Sequence, residues 1–267
     1  TGYFHGYKGY RFFGKSHNRL PFVSYNEIYA TIQYDTKLKS LLYGKIMYIE
    51  TALKNIALNT IMDEIHSNSI YDMYDKAVSG YKNAPKGTAV VQKKKFQTNK
   101  LSLQGSIQKS ITAAYQRENP KITHFYNNGN YNEVPIWAIF EILTMGDFGY
   151  LLSCLTENVR KKISINIGLN LSSDTNYTLV YKYVYALKDL RNAIAHNDVV
   201  YDTRFRKIDP SKPMKQCLIQ AIGVPYINFK TIGDYIILIC YYLKLLKVSK
   251  TEIKAFIREF ENITKEY

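Results

Sequence analysis

Residues 35–65 read DTKLKSLLYGKIMYIETALKNIALNTIMDEI, and the spacing of their apolar side chains decides the fold class of this chain. Apolar residues recur there at intervals of three and four, which places them on one face of an α-helix. Asp35 and Thr36 are residue types that cap helix N-termini, so we expect the helix to begin beside them. The positions of this stripe are Leu38, Leu41, Leu42, Ile46, Ile49, Leu53, Ile56, Thr60 and Ile61.

Most of the remaining sequence has the same helical period. Pro135 suits the first position of a helix, Thr156 suits a cap, and Ser249 with Glu252 has the spacing of a capping box. We therefore predict an all-α bundle, with a helix break at Gly146. The further helical segments are 132–146, 148–155, 157–167, 173–196, 229–248 and one that starts at 249. A short strand has room only in 88–91 and 217–227.

The chain carries an excess of positive charge. Lys and Arg number 36 against 22 Asp and Glu, which gives a formal net charge of +14 in 267 residues. Such a balance favours polyanionic partners, first nucleic acid and then anionic membrane surfaces. Lysines outnumber arginines 28 to 8 and Asn, Ile and Tyr are abundant, so an AT-rich coding genome is an alternative source of the charge.

Three cysteines, Cys154, Cys217 and Cys240, are too widely spaced for a disulfide framework or a CxxC-type zinc site. The longest apolar run, 235–243, is about half of the ~20 residues that span a bilayer. The opening residues contain no charged-then-apolar leader and lack an initiator Met, so we expect a trimmed start. We therefore expect a cytoplasmic protein with reduced thiols, no membrane partner, no metal and no cofactor.

Two segments depart from the helical pattern. Residues 81–105 contain Pro85, Gly87 and a lysine cluster, so we predict a basic loop inserted into the helical core, with a solvated connector as the alternative. Residues 3–13 are aromatic and glycine-rich, and we favour their burial in the core over stacking on exposed bases. The lysines of the first segment that we predict to bind RNA are Lys93, Lys94, Lys95 and Lys100.

Residues 190–197 read LRNAIAHN and contain one arginine and one histidine five positions apart. Arginine binds phosphate through the N–H donors of its planar, positively charged guanidinium, while histidine exchanges a proton near neutral pH. These groups suffice in principle to cleave RNA without a metal, because RNA carries its own nucleophile, the 2′-hydroxyl. The match alone is weak evidence, since a helix-end histidine and a surface ion pair of Arg191 with Asp189 or Asp198 also explain it.

Three blocks of the sequence together resemble a known family. Residues 34–54 are similar to the first long helix of the Abi-like (abortive infection) proteins of the AbiD/AbiF type. Residues 134–146, VPIWAIFEILTMG, resemble that family's Pro-x-Trp…Glu-x-Leu-(Ser/Thr)-x-Gly block, and residues 190–196 resemble its Leu-Arg-Asn-x-x-Ala-His block. Residues 2–10 resemble the tail of its aromatic N-terminal block. Three blocks in the family's order make a specific signal.

The resemblance implies a domain of the HEPN superfamily, whose nuclease members carry an Arg-x4-6-His motif. It also implies an antiphage, RNA-cleaving and growth-arresting protein, with a small non-coding RNA as a partner in some members. We expect a HEPN-like helical bundle with additional helices and a basic loop insertion. Its expected parts are an aromatic N-terminal segment over 1–33, a HEPN-like core over 34–210 with the basic insertion 81–105, and a C-terminal helical hairpin over 211–267.

The expected catalytic residues are Arg191, Asn192 and His196. Five residues turn an ideal helix by about 500°, so Arg191 and His196 project roughly 140° apart, whereas Asn192 and His196 share a face. We therefore expect Asn192 to hydrogen-bond to His196 while Arg191 reaches the same phosphate. One histidine does not make both proton transfers in one step, which predicts a homodimer whose two motifs face each other across a two-fold axis.

Several neighbouring residues complete the hypothesis. Asn197 stands where many relatives carry a second histidine, and Glu50, a polar residue in an apolar helix, either faces the motif or is exposed. Segment 63–66 lacks metal-ligand spacing. The candidate contacts to RNA backbone are Tyr201 (near the position of a family Trp), Arg204, Arg206 and Lys207, with a solvated basic turn as the alternative.

The predicted function is a metal-independent endoribonuclease toxin of a bacterial abortive-infection system, bound and controlled by a small structured RNA. The alternative is a non-catalytic RNA-binding or sensor scaffold that uses the HEPN fold to dimerise.

Overall fold

A computed structural model of the chain describes residues 3–12, 19–127, 133–172, 174–207 and 209–267. Helices form nearly all of the regular structure in these ranges, and two isolated bridges are the β-type pairing found there. The prediction of an all-α protein is therefore confirmed. The helices are α1 (Gly9–Arg11), α2 (Tyr25–Ile65), α3 (Ile70–Asp72), α4 (Val90–Gln116), α5 (Pro120–Asn127), α6 (Ile136–Ile142), α7 (Met145–Cys154), α8 (Glu157–Ile167), α9 (Leu179–Ala195), α10 (Lys212–Ile222), α11 (Ile232–Leu245) and α12 (Lys250–Glu266), with π-helical turns at Tyr3–Lys8 and Met73–Ala77.

The chain forms two compact units. The first contains residues 1–51 and 186–267, and the second contains residues 52–185. The division expected from the sequence followed chain order, with boundaries at 33/34 and 210/211. The compact units do not follow chain order, because the beginning of the chain packs with its end.

The first unit has an aromatic core that includes part of the N-terminal segment. Tyr10 is 3% exposed and packs with Ile28, Ile32 and Val199, and Tyr7, Phe22 and Tyr201 pack against this cluster. The expectation that the N-terminal aromatics are core residues is correct for Tyr10. In the same unit, α11 contacts both α10 and α12. The C-terminal region, for which the sequence predicted a hairpin of two helices, therefore contains three helices.

The second unit is organised around α4. This helix contacts α5, α6 and α7, and it buries one side of its C-terminal half. The buried residues are Leu103, Ile107, Ile111 and Ala114, whose spacing of four, four and three is helical. Thr144 caps α7 and Thr156 caps α8, as each side chain accepts a hydrogen bond from the backbone N–H three residues on.

Helix α2 begins earlier than its sequence pattern indicates. The helix starts at Tyr25, where Ser24 Oγ accepts the Glu27 N–H and so caps the helix, while Glu27 Oε2 accepts the N–H of Val23, one residue before the cap. The predicted cap at Asp35 or Thr36 is therefore wrong. Asp35 lies inside the helix and is fully buried, so its carboxylate does not cap the helix N-terminus.

Three further expectations about secondary structure are corrected. The basic loop is confined to the residues before Val90, since the lysines from 93 onward lie on α4. The suspected strands over 88–91 and 217–227 are absent from the described residues, which form the start of α4 and the end of α10 there. Gly146 lies within α7, and the break falls before it, at Leu143 and the cap Thr144.

Other boundaries agree with the sequence. Pro135 directly precedes the first residue of α6, and Ser249 with Glu252 forms the predicted capping box at the start of α12. Helix α9 ends at Ala195, close to the predicted end at 196. Among the described residues, no helix combines the length and the apolar content that crossing a bilayer requires.

Candidate functional site

Helix α9 ends in a tight left-handed turn directly after the motif. Asn197 has φ 56°, and its N–H donates to the Ile194 carbonyl at 3.1 Å. The Asp198 N–H donates to the Ala193 carbonyl at 2.8 Å. This pair of bonds is a Schellman motif, with Asn197 in the position that usually carries glycine. His196 is therefore the C-cap of α9, directly after its last residue, Ala195.

The His196 side chain points into solvent. The residue is exposed, and its ring makes no hydrogen bond or ion pair with any residue that the structure describes. The expected bond from Asn192 to His196 does not form. Asn192 Oδ1 instead lies 3.4 Å from Nη1 of Arg191, so the amide is turned along the helix towards the arginine. The imidazole is thus free to reach a substrate, but Asn192 does not orient it.

Arg191 is paired with a buried carboxylate on α2. Its Nε lies 3.8 Å from Oε2 of Glu50, and the exposed fractions of the two side chains are 32% and 6%. Glu50 therefore faces the motif, which was one of the two alternatives that the sequence left open. Asp189 lies 2.9 Å from Lys188 Nζ, and among the described residues neither Asp189 nor Asp198 forms an ion pair with Arg191. The pair leaves about one third of the Arg191 side chain accessible, enough for contact with an anion.

A second buried charge on α2 binds the segment that follows the motif. Asp35 Oδ1 accepts hydrogen bonds from the N–H groups of Val200 at 3.0 Å and Tyr201 at 2.7 Å. Asp35 Oδ2 accepts the Tyr10 hydroxyl at 2.6 Å and lies 2.9 Å from Lys39 Nζ. Burial and the charge of Asp35 raise the pKa of Tyr10, so the hydroxyl keeps the proton that it donates.

Lys39 extends this network to the motif itself. Its ammonium donates to Asn197 Oδ1 at 2.9 Å and to the Tyr10 hydroxyl at 3.2 Å, in addition to its ion pair with Asp35. Sequence reasoning missed Asp35 and Lys39 as site residues. The available signal was their i, i+4 spacing, which pairs opposite charges on a helix.

One face of α2 thus supports the end of α9. Lys39 and Glu50 are 11 residues apart, which is about three helical turns and leaves them within roughly 20° of each other around the helix. Lys39 contacts Asn197, while Glu50 contacts Arg191. A single helix therefore contacts the motif at Arg191 and the residue that follows it, Asn197.

Two basic residues of the turn after the motif, Arg204 and Arg206, bind other groups of the protein. Arg204 Nη1 donates to the carbonyls of Gly9 at 2.7 Å and Phe12 at 2.9 Å, and its Nε donates to both oxygens of Asp202 at 2.9 Å. Arg206 donates to the carbonyls of residues 228 and 229 at 3.2 and 3.1 Å. These contacts connect chain segments, so RNA binding by either arginine would compete with them.

Tyr201 and Lys207 differ in accessibility. The Tyr201 ring stacks on Tyr10 with 6.4 Å between centroids and 7° between planes, and burial raises the pKa of its hydroxyl. Lys207 is exposed. Of the four residues predicted to bind RNA in this turn, Lys207 is the most accessible.

The lysines of the basic segment lie on the N-terminal half of α4, in the second unit. Lys94 and Lys95 are exposed, Lys100 is half-buried, and Lys93 Nζ lies 5.9 Å from the centre of the Tyr81 ring. Residues 90–116 contain five lysines and no acidic residue. The predicted lysines thus form a basic helical surface rather than a loop.

The described residues contain no group of His, Cys, Asp and Glu arranged to hold a metal ion. Glu64, in the segment 63–66, is paired with Lys162 and accepts a hydrogen bond from Asn158 at 2.9 Å. None of the three cysteines forms a disulfide, and burial raises the pKa of Cys240 to about 11 and that of Cys154 above its usual range. Cys154 and Cys240 are therefore poor nucleophiles at neutral pH.

Comparison with curated proteins and with solved structures found no match. The profile of the Abi-like protein family matches residues 1–202, a stretch that includes α2, the block at 134–146 and the whole motif. The match covers about three quarters of the chain. The chain therefore belongs to the Abi-like protein family, and that membership indicates an abortive-infection function.

Proposed function

We propose that this protein is a metal-independent endoribonuclease toxin that acts in abortive infection, on a HEPN-like helical fold. The observation that carries the proposal is the end of α9. It carries an accessible imidazole, His196, and five residues earlier a guanidinium, Arg191, whose Nε lies 3.8 Å from the buried carboxylate of Glu50. A proton-transfer group and a cation that reach the same phosphate are what cleavage of an RNA phosphodiester requires.

The proposed reaction uses the 2′-hydroxyl of the RNA as the nucleophile. A histidine takes the proton of this hydroxyl while its oxygen attacks the adjacent phosphorus. The bond from phosphorus to the 5′-oxygen of the next nucleotide then breaks, and a second proton donor protonates that oxygen. The products are a cyclic 2′,3′-phosphate and a 5′-hydroxyl, and Arg191 stabilises the charge that builds on the phosphoryl oxygens.

The second proton donor is the reason to propose a homodimer. Each chain supplies one histidine in the motif, and Asn197 occupies the next position. A two-fold axis that brings two motifs together would supply the base from one protomer and the acid from its partner. A fully active monomer, measured by light scattering during size-exclusion chromatography, would contradict the composite site.

The decisive experiment compares the wild type with Arg191→Ala/His196→Ala. We expect the wild type to arrest cell growth and to cleave RNA in EDTA, and we expect both effects to disappear in the variant. Mass spectrometry of the fragments should show the cyclic phosphate end. An unchanged phenotype in the variant would remove the motif from the mechanism.

We also propose that a structured RNA binds the protein stably and restrains it. The support is the charge: +14 overall, with five lysines and no carboxylate over residues 90–116. Protein purified at low salt should carry RNA that salt releases, because phosphate contacts release counterions. Nucleic-acid-free protein with no salt-dependent RNA binding would refute this part of the proposal.

One observation favours the alternative function, a non-catalytic RNA-binding or sensor scaffold. Arg191 already has an internal anionic partner in Glu50, so the pair could serve stability alone. The two functions differ in what Arg191→Ala does to the enzyme and to the fold. A scaffold would lose stability and keep its RNA affinity, whereas the nuclease would lose cleavage.

A further inference from the structure

We infer that Lys39 and Asp35 of α2 are positioning residues for His196, because they fix the turn that follows it. The activity part of this inference rests on the proposed ribonuclease function, while its structural part does not. Neither residue is expected to touch RNA. The inference follows from the number of hydrogen bonds that each buried charge makes.

All three N–H donors of the Lys39 ammonium have acceptors inside the protein. Lys39 is 7% exposed, and an ammonium has three N–H donors. Three oxygens lie within hydrogen-bond distance of its Nζ: Asp35 Oδ2 at 2.9 Å, Asn197 Oδ1 at 2.9 Å and the Tyr10 hydroxyl at 3.2 Å. No donor is left for a phosphate, so Lys39 acts on the motif through Asn197.

The Asp35 carboxylate is saturated in the same way. Asp35 is fully buried, and it receives four groups, two on each oxygen. Two of these are the backbone N–H groups of Val200 and Tyr201. Because a carboxylate offers about four acceptor positions, Asp35 has no position left for a further donor.

Together the two residues clamp both ends of one short segment. Lys39 binds the side chain of Asn197, and Asp35 binds the backbone at 200 and 201. Asn197 adopts a left-handed backbone, which asparagine tolerates better than most residues but less readily than glycine. Since His196 directly precedes this turn, the direction of its ring depends on how firmly Asn197 is held.

The test that preserves the fold is Asn197→Gly. Glycine favours the left-handed turn, so the Schellman motif and the Lys39–Asp35 pair remain, and only the contact to Lys39 is lost. We expect kcat for RNA cleavage to fall about tenfold with KM within about twofold, since the substrate still binds but the imidazole is less well placed. Wild-type kcat in this variant would overturn the inference.

A double-mutant cycle separates this role from a direct contact of Asn197 with RNA. If Lys39 acts through Asn197, Lys39→Met combined with Asn197→Gly should lose no more activity than Lys39→Met alone. Losses that multiply would overturn the inference. The matched control is Lys37→Met, whose exposed ammonium pairs with Glu266 at 2.5 Å and should change little.

Hydrogen exchange tests the structural part without any activity. We expect the amide protons of Asn197 and Asp198 to exchange at least about tenfold faster in Lys39→Met, while Lys37→Met leaves them unchanged and Lys39→Arg restores protection. If the wild type cleaves no RNA, the proposed function fails. The exchange data then still decide whether Lys39 holds the turn at Asn197. Unchanged exchange in folded Lys39→Met would overturn the inference by itself.

Discussion

Two arginines of the first unit, Arg191 and Arg204, have opposite surroundings. Arg204 donates to two backbone carbonyls and to Asp202, so its guanidinium is consumed by contacts between chain segments. Arg191 has an ion pair of 3.8 Å to Glu50 and one long contact to Asn192, and a third of its side chain is accessible. Internal partners, rather than residue type or proximity to a motif, therefore separate a structural arginine from one able to bind a ligand.

The largest expected effect is on cleavage by His196→Ala. The ring has no partner among the described residues, so its loss should leave the free energy of unfolding within about 0.5 kcal/mol. Cleavage should fall by about 10² to 10⁴-fold, the usual contribution of a general acid or base. His124→Ala, which removes another exposed histidine, is the control. A variant that unfolds more easily and still cleaves would contradict the assignment.

Arg204→Met should instead reduce stability. Removing the guanidinium leaves the carbonyls of Gly9 and Phe12 and the carboxylate of Asp202 without their donor, which we expect to cost about 2–4 kcal/mol. Urea denaturation measures this loss. Lys207→Ala, an exposed cation three residues away, should cost less than about 0.5 kcal/mol. Equal losses of unfolding free energy in Arg204→Met and Lys207→Ala would contradict the structural role that we assign to Arg204.

Glu50→Gln tests whether Arg191 is a structural residue like Arg204. The variant keeps the shape of the side chain but removes the charge that faces the guanidinium at 3.8 Å. We expect kcat/KM to fall about tenfold because Arg191 is less well oriented. If stability falls while cleavage persists at the wild-type rate, Arg191 is a structural residue like Arg204, and the scaffold function gains.

The smallest effect concerns alkaline pH. Burial and Asp35 raise the pKa of Tyr10 above the value of about 10 that it has in the unfolded chain. Below pH 10 both states keep the proton, whereas above it the unfolded state loses the proton first, so stability falls as pH rises. In Tyr10→Phe this fall should be shallower, by up to about 1.4 kcal/mol per pH unit. Urea denaturation at pH 9.5 and 10.5 provides the test, and parallel pH dependences would contradict it.

Local signals in the sequence predicted much of the fold. Pro135, Thr156 and the Ser249–Glu252 box mark helix starts because capping is a local interaction that a few adjacent residues determine. The same kind of signal was overlooked at Ser24, whose side chain accepts the Glu27 N–H and caps the start of α2. Helix α10 was missed in the same way, although Pro213 and Gly223 mark its start and end.

The candidate site was only partly predictable. The pair Arg191 and His196 was recognisable because its spacing is fixed along one helix. The contacts of Glu50 with Arg191 and of Lys39 with Asn197 join residues more than 140 positions apart, so no local pattern identifies them. Asp35 illustrates the difference: as a cap it would be exposed, but as the acceptor for Val200 and Tyr201 it is buried.

The length of α2 has a consequence for how this protein tolerates change. Asp35, Lys39 and Glu50 lie at three points along one uninterrupted helix, so the helix fixes the distances and the angles between their side chains. One residue inserted between Lys39 and Glu50 would rotate every later side chain by about 100° and advance it by about 1.5 Å. Insertions of one or two residues in this stretch should therefore be far more harmful than most single substitutions, and viable length variants should be confined to the loops.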